Sequence, residues 1–527
     1  MDKFIILFFC ATIISLVSCE TIPINLAVYH PNTHRYDAFK EYYDLKDNLT
    51  VINISNIQND VGFFIIQVHT YLENVTLSDS PNFTHGSSIT GANIGLVSNG
   101  SIDTFYLKRP HKLNPFVHVL IVVAVYDEQA PVPGGCNLSF DVEVAPYQIT
   151  SHTDELITVK SQPPSTKGQT CDNLTVQVDM YHLFMYEYDN SPETYFKSIE
   201  KMLTVDNIEK YGRRVSGIPG RRKYMRLFSS YIGTGEVFAM VSTFKDHKSA
   251  YIPAVSYGCD VARWEEDCVG PVAVHWKVLC AFQLIFGIFL CFFGHRFFRL
   301  TLYIVSFTFG LMATYFVISV EEYLSMTEKT ITAFSVGFIY GIIWLIIWRT
   351  CGMPFLIINI AFILSGFLAA SLLFYTVLAD IIIFINGINF WVVFLSIMVT
   401  CVIISMANAM YGHIASISFT SSYACVMALN YYVGGNLPYI LINTYRRVAV
   451  KNFNYAVISP PMQTTDILHI LLWIILLIFG VFIQVRQQRG KPPFPPNRPF
   501  RETSNPTETT PLIQEDIFAP SYTYTYH

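Results

Sequence analysis

Phe293-Gly294-His295-Arg296-Phe297-Phe298-Arg299 is a basic, aromatic stretch lying between two long apolar runs, Val274 to Phe293 and Phe297 to Val320. A helix needs about 20 apolar residues to cross roughly 30 Å of hydrocarbon, so the two runs read as membrane spans joined by a tight turn. Inner loops carry an excess of Lys and Arg. Arg296 and Arg299 therefore read as anchors at the cytoplasmic face, and everything before Val274 belongs outside or in a lumen.

Downstream of the turn the same pattern continues. The spans expected from hydropathy are 274–293, 297–320, 331–348, 354–377, 389–407, 412–434 and 467–485. Seven spans put the tail inside. The inner segments then hold eight Lys and Arg (Arg296, Arg299, Arg349, Arg486, Arg489, Lys491, Arg498, Arg501) and the outer loops four (Lys329, Arg446, Arg447, Lys451), which has the expected sign. Short inner turns pair the first six spans as three helical hairpins. Gly337-x-x-x-Gly341 and Gly366-x-x-x-Ala370 place small residues for close helix packing.

The whole composition agrees with a membrane chain. Of 527 residues, 52% are apolar, 15% aromatic and only 14% charged, with a mean hydropathy of +0.38. That is too apolar for an ordinary soluble domain. The net charge of -5 is divided between compartments and points to no nucleic-acid partner.

Upstream, Met1-Asp2-Lys3, the apolar run Phe4 to Val17 and the small pair Ser18-Cys19 form a signal-peptide pattern, with cleavage expected after Cys19. Sequons occur at Asn48, Asn53, Asn74, Asn82, Asn99, Asn137 and Asn173, all before the first span, and Asn505 is spoiled by Pro506. Seven on one side make residues 20–273 a glycosylated lumenal or extracellular domain. Its four cysteines, Cys136, Cys171, Cys259 and Cys268, allow three pairings, and proximity favours Cys136 with Cys171 and Cys259 with Cys268. Cys280, Cys291, Cys351, Cys401 and Cys425 lie in the spans and read as packing residues.

Within the ectodomain, Leu49 to Ile54, Phe63 to Tyr71 and Val117 to Tyr126 have strand patterns, the last too short to cross a bilayer and expected in a sandwich core. Ser161 to Thr170 reads as an exposed linker. Beyond it Ser191-Pro192 opens a helix with Tyr195, Phe196, Ile199, Met202 and Leu203 on one face, and a helical turn from Asp206 stops at Gly212. Arg213-Arg214 and Arg221-Arg222-Lys223 form a basic patch, read as a solvated loop.

The fold expected is thus a membrane protein: a signal peptide (1–19), a β-rich two-lobed lumenal or extracellular ectodomain, a seven-helix transmembrane bundle (274–485) and a disordered cytoplasmic tail (486–527). The lobes are β-sandwich-like (20–160) and mixed α/β (171–273), with the linker (161–170) between them.

In the tail, Arg489-x-x-Pro492-x-x-Pro495 has the form of an SH3 ligand but lies close to the bilayer, where a plain extended linker is the preferred reading. Glu508, Leu512 and Ile513 fit an acidic dileucine motif for a clathrin adaptor, which would sort the protein to endolysosomes. No metalloprotease, nucleophile-elbow, phosphate-loop or dinucleotide motif occurs, so no enzyme, cofactor or metal is expected. Intramembrane ionisable residues are sparse and sit near span ends, which argues against a proton-coupled transporter. Rhodopsin-like signatures are also missing, since the third span ends Trp348-Arg349-Thr350 and the seventh holds Ile478-Phe479-Gly480-Val481-Phe482.

Three segments carry a family resemblance: Pro133-Gly134-Gly135-Cys136-Asn137; Ala250-Tyr251-Ile252-Pro253-Ala254-Val255-x-Tyr257-x-Cys259-Asp260; and Phe293-Gly294-His295-Arg296-Phe297-Phe298. Together they resemble the transmembrane 7 superfamily member 3 family over nearly the whole chain, and the third is similar to the membrane domain of the transmembrane protein 198 family. The resemblance implies a seven-span glycoprotein of the cell surface and secretory pathway. It also implies a cytoprotective role, limiting programmed cell death and easing protein-folding stress, with no catalytic residue to carry over; the large glycosylated ectodomain and the sparse intramembrane charge suggest that this role works through ectodomain or membrane-domain partners. Two further readings are an orphan receptor signalling through inner turns and tail, and a Golgi or endosomal trafficking chaperone.

Overall fold

The computed structural model describes residues 20–31, 38–109, 115–173, 175–215, 224–269, 274–320, 323–352 and 354–490. The expected signal segment, Arg221-Arg222-Lys223 and the expected tail motif with Glu508, Leu512 and Ile513 lie outside these residues.

Two facing sheets make the N-terminal domain. One orders Glu20–Asn25, Leu49–Ser55, Thr104–Lys108, Val75–Ser78 and Ser88–Gly91, the first pair parallel and the rest antiparallel. The other orders Ala38–Leu45, Val117–Tyr126, Phe63–Thr70 and Asn93–Ser98, all antiparallel. Alternation decides which faces meet: Thr50, Ile52 and Ile54 point inward while their neighbours do not.

Val117–Tyr126 is more than a sandwich strand. Val119, Ile121 and Val123 enter the first core, whereas Leu120 and Val122 on the opposite face join a second core with Tyr195, Phe196 and Ile199. A strand buried on both faces has no polar side to show, which explains its apolar run from Val119 to Tyr126, past the exposed His118.

The second lobe also holds two sheets. Ile149–His152, Leu156–Lys160 and Met225–Ser229 form one, and Arg213–Arg214, Gln177–Glu187, Thr234–Phe244 and His247–Ala250 the other, with Ala254–Ser256 also on Thr234–Phe244. Helices α1 (Pro192–Glu200) and α2 (Val205–Tyr211) cover the latter, capped by Ser191 and Thr204 as side-chain acceptors. The lobe boundary expected near residue 160 is corrected here, because Leu156–Lys160 pairs with Met225–Ser229 and carries Ile149–His152 on its other edge. Only the far half of the supposed linker is exposed, at Lys167, Gly168 and Thr170. Ser161 and Gln162 are buried, the Cys136 N–H donates to the Pro163 carbonyl, and Val132 pairs with Ser165. Polar composition made 161–170 look like a loop, but its backbone is used by the turn before Cys136.

The membrane region comprises α3 (Val274–Phe293), α4 (Phe298–Ile318), α5 (Met326–Cys351), α6 (Pro354–Tyr375), α7 (Gly387–Ala407), α8 (Ala409–Val433), a short α9 (Tyr439–Ala449) and α10 (Thr464–Gln488). Among the described residues six of these, α3 to α7 and α10, are long and apolar enough to cross a bilayer. α8 is as long but richer in hydroxyls. It is also deeply buried, packed against α3, α6, α7 and α10, with His413, Ser416, Ser418, Ser421, Ser422 and Asn430 all inside. A helix shielded from lipid can be polar where its groups find partners: Ser365 Oγ lies 3.0 Å from Ser416 Oγ, and Gln484 donates to Ser418 Oγ over 3.1 Å.

Helix pairing differs from the expected hairpins. α3 packs on α8 and α4 on α5, while α3 and α4 make little contact beyond the turn that joins them. Glycines set these choices. A Cβ on Gly337 would lie 2.9 Å from the Phe307 carbonyl, and one on Gly341 2.8 Å from the Tyr303 ring, so both glycines of the small-residue motif seat α5 on α4. Gly366 likewise seats α6 on α7 at the Met398 carbonyl.

Candidate functional site

The opening turn is a polar lock at one end of the bundle. His295 is buried, its N–H donates to Gln484 Oε1 over 2.7 Å, and its ring faces His413 with the two Nδ1 atoms 3.4 Å apart. Gln484 also donates to the Cys291 carbonyl over 2.7 Å, so α3, α8 and α10 meet at this turn. Arg296 and Arg299 point out and are exposed, as anchors at an interface require.

The opposite end of the bundle carries the more unusual arrangement, in the segment 434–463 that sequence reading left as a plain outer loop. Pro438 precedes α9, whose Ile440, Asn443, Thr444 and Arg446 lie on a buried face. Arg446 is only 4% exposed. Its guanidinium donates to the Ser230 carbonyl and the Asp154 carbonyl, both over 2.7 Å, and to Ser229 Oγ over 3.1 Å, and it lies 5.1 Å from the Tyr439 ring centroid. These partners are neutral ectodomain oxygens. Burial lowers the Arg446 pKa, which the nearby Tyr439 and Tyr231 oppose.

Successive helical residues diverge by about 100°. Arg447 therefore turns away from the ectodomain, placing its guanidinium 4.3 Å from the Phe390 ring centroid and donating to the Phe384 carbonyl. Burial pushes its pKa down to about 10. One arginine holds the ectodomain and its neighbour holds the outer connection before α7.

The chain then adds a strand to the ectodomain. Ala456–Val457 pairs in parallel with Leu227 and Phe228, extending the sheet of 149–160 and 225–229. Leu227 and Tyr231 share a core with Leu437, Ile440, Phe453, Tyr423 and Trp473, so ectodomain and bundle are packed as one body at this point. Gln463 completes the contact by donating to the Met185 carbonyl over 3.0 Å and accepting from the Glu187 N–H over 2.9 Å. Asp466 accepts from the Asn436 N–H over 2.6 Å and the Gln463 N–H over 3.1 Å.

Glu187 accepts from the Gly435 N–H over 2.9 Å. Burial raises its pKa, the Gly435 hydrogen bond opposes, and the Asp466 charge adds to the rise. A carboxyl whose folded pKa is raised contributes stability that is complete below its ordinary value and lost as pH rises through the raised one. The junction is therefore expected to resist proteolysis better in mild acid than at neutral pH. Glu187→Gln should flatten that pH slope, and an unchanged slope in the variant would assign it to other groups.

The predicted pairings Cys136–Cys171 and Cys259–Cys268 are both present, with Cα atoms 5.7 and 5.4 Å apart. All five intramembrane cysteines are free. Among the sequons, Asn48, Asn53, Asn74, Asn82 and Asn99 are exposed. Asn137 differs: its side-chain amide donates to the Phe140 carbonyl over 3.0 Å and to the Val142 carbonyl, and its oxygen accepts from the Phe140 N–H over 2.9 Å. A glycan needs that nitrogen. Glycopeptide mapping of the protein expressed in glycosylating cells should find Asn137 unoccupied, and a substituted Asn137 would mean that this turn closes only after glycan transfer. The described residues hold no cluster of three metal-ligating side chains.

Nothing in the sequence signalled Arg446 as more than loop charge. The available clue was the amphipathic pattern of Tyr439–Ala449 as a whole, inside a segment treated as a connection.

Comparison with known proteins follows the same division of the chain. Residues 32–126 match the family model described as "TM7SF3-like, N-terminal immunoglobulin-like domain", residues 131–262 "TM7SF3-like, second immunoglobulin-like domain", and residues 280–485 "TM7S3/TM198-like domain". Transmembrane 7 superfamily member 3 of Homo sapiens is 29% identical over 463 residues, covering 84% of this chain and 81% of its own length. The protein of the same name from Mus musculus is 28% identical, with 84% and 82% covered. With two immunoglobulin-like domains and the shared membrane domain matched in order, the chain belongs to the transmembrane 7 superfamily member 3 family of multi-span membrane proteins.

Proposed function

We propose that this chain is a non-enzymatic seven-span glycoprotein that supports cell survival and tolerance of protein-folding stress, restraining programmed cell death through a partner of its ectodomain. α8 serves as the seventh span, with 25 residues and a lipid-shielded position supporting that assignment. The sequons and the signal-like N-terminus favour an outside or lumenal ectodomain, and an odd number of spans then puts the tail, with its candidate adaptor motif, in the cytoplasm.

The observation that carries the reading is the junction. Arg446 and the strand Ala456–Val457 bind the second ectodomain lobe to the bundle, so a partner held outside is mechanically continuous with the membrane helices. Deleting the gene should raise death under reductive folding stress, and wild-type protein should restore resistance. Unchanged sensitivity after deletion would dismiss the survival role. The same continuity favours a receptor as the second reading, for which proximity labelling at the tail should change when an ectodomain ligand is added.

A further inference from the structure

Beneath the second lobe, a cleft of about 570 Å³ opens between the strand Gln177–Glu187, helix α1 and the start of α10. Its lining divides by chemistry. Lys197, Lys201 and Arg213 bring three cations from the ectodomain, and Met462 and Ile467 bring apolar surface from the beginning of α10. Tyr186 lies between them, 71% exposed, with Met462 54% and Ile467 51% exposed.

Among the described residues these charges are not balanced. Nearby cations have carboxylate partners: Lys40 of the N-terminal domain with Glu200 at 3.1 Å and, on the second lobe, Arg214 with Asp179 at 2.7 Å and Lys248 with Glu209 at 2.6 Å. Among the described residues no ion pair holds Lys197, Lys201 or Arg213. Lys201 rests 5.9 Å from the Tyr211 ring centroid. Glu193 is the carboxylate of the lining, and Asp380 lies within electrostatic range of Arg213. Three cations face one lining carboxylate, so the cleft attracts an anion.

The level of the cleft identifies the occupant. Ile467 belongs to the first turn of an apolar helix that begins at Thr464, and its exposed side chain faces what surrounds the bundle. That level in a bilayer is the boundary between phosphates and acyl chains, where Tyr side chains are also enriched. An acidic peptide would satisfy the cations but leave Ile467 and Met462 uncovered. We infer that the cleft is a binding site for an anionic glycerophospholipid of the outer or lumenal leaflet, its phosphate on Lys197, Lys201 and Arg213 and its acyl chain along Ile467.

The test uses the delipidated full-length protein in detergent, titrated separately with dioleoylphosphatidylglycerol and dioleoylphosphatidylcholine and read by native mass spectrometry. Phosphatidylglycerol adducts should dominate. A Lys197→Glu, Lys201→Glu, Arg213→Glu variant should retain phosphatidylglycerol at least about 100-fold less well, as expected for three cations acting together on an anionic headgroup. Lys197→Gln alone, at an exposed position, should weaken retention about threefold and keeps the test readable where the triple variant misfolds. Equal retention of the two lipids by the parent, or unchanged retention by both variants, would overturn the assignment. So would displacement by inorganic phosphate at the concentration where the lipid itself binds, which would mark a site for a free anion.

Discussion

Arg446→Ala is expected to loosen the ectodomain from the membrane helices by about 4 kcal/mol, a loss at the upper end for a single side chain. The guanidinium is buried and bridges α9 to the Ser230 and Asp154 carbonyls and the Ser229 hydroxyl. Its removal costs several charge-assisted hydrogen bonds, each worth about 1.5–3 kcal/mol, and leaves ectodomain oxygens buried without their donor. Lysine should rescue little, because a single ammonium does not reproduce the planar fork that reaches both carbonyls. Arg447→Ala should free the connection near Phe384 and leave the ectodomain seated. Thermal unfolding of the full chain in detergent, with limited proteolysis of the junction, separates these outcomes. If Arg446→Ala melts and cuts like the parent, the ectodomain is held by the strand and core contacts alone.

Gly134→Ala should be equally severe and should show itself as failure to close a disulfide. Gly134 has φ +67°, and a Cβ there would lie 1.8 Å from the Ala145 carbonyl oxygen. The left-handed backbone costs a non-glycine residue roughly 1–2 kcal/mol. The collision is with main chain, which must move, and the total is expected to reach at least about 4 kcal/mol. Movement there displaces Cys136, two residues on, from Cys171. Gly168 is the matched control, with φ +78° and open space around its Cα. Its alanine variant should show the strain alone. Thiol alkylation after non-reducing electrophoresis distinguishes them, and equal disulfide yield in both variants would show that the turn yields to the extra methyl.

The membrane domain was legible because bilayer thickness imposes a length on every span. Val274–Phe293 begins and ends where apolar counting places it, and Gly387–Ala407 differs by two residues at its start. The third span runs longer than hydropathy predicts, from Met326, because Ser325 and Glu328 form a capping box that starts the helix among polar residues. The disulfides were legible from proximity along the chain. The lobe boundary was not, because it depends on pairing between residues as far apart as Lys160 and Met225.

The sequence by itself determined what local or one-dimensional physics controls: which segments are long and apolar enough to cross a membrane, where helices are capped, and which cysteines stand close enough to join. Only the tertiary structure decided the rest. Whether α3 packs on α4 or on α8 depends on which helix offers room beside Gly287 and Gly294. Whether His295 is a solvated basic residue or a buried one depends on His413 and Gln484, far along the chain. Arg446 reads as loop charge until Asp154 and Ser230 come within 2.7 Å of it. A buried cation is stable only where oxygens converge on it, and that convergence is a property of the folded chain.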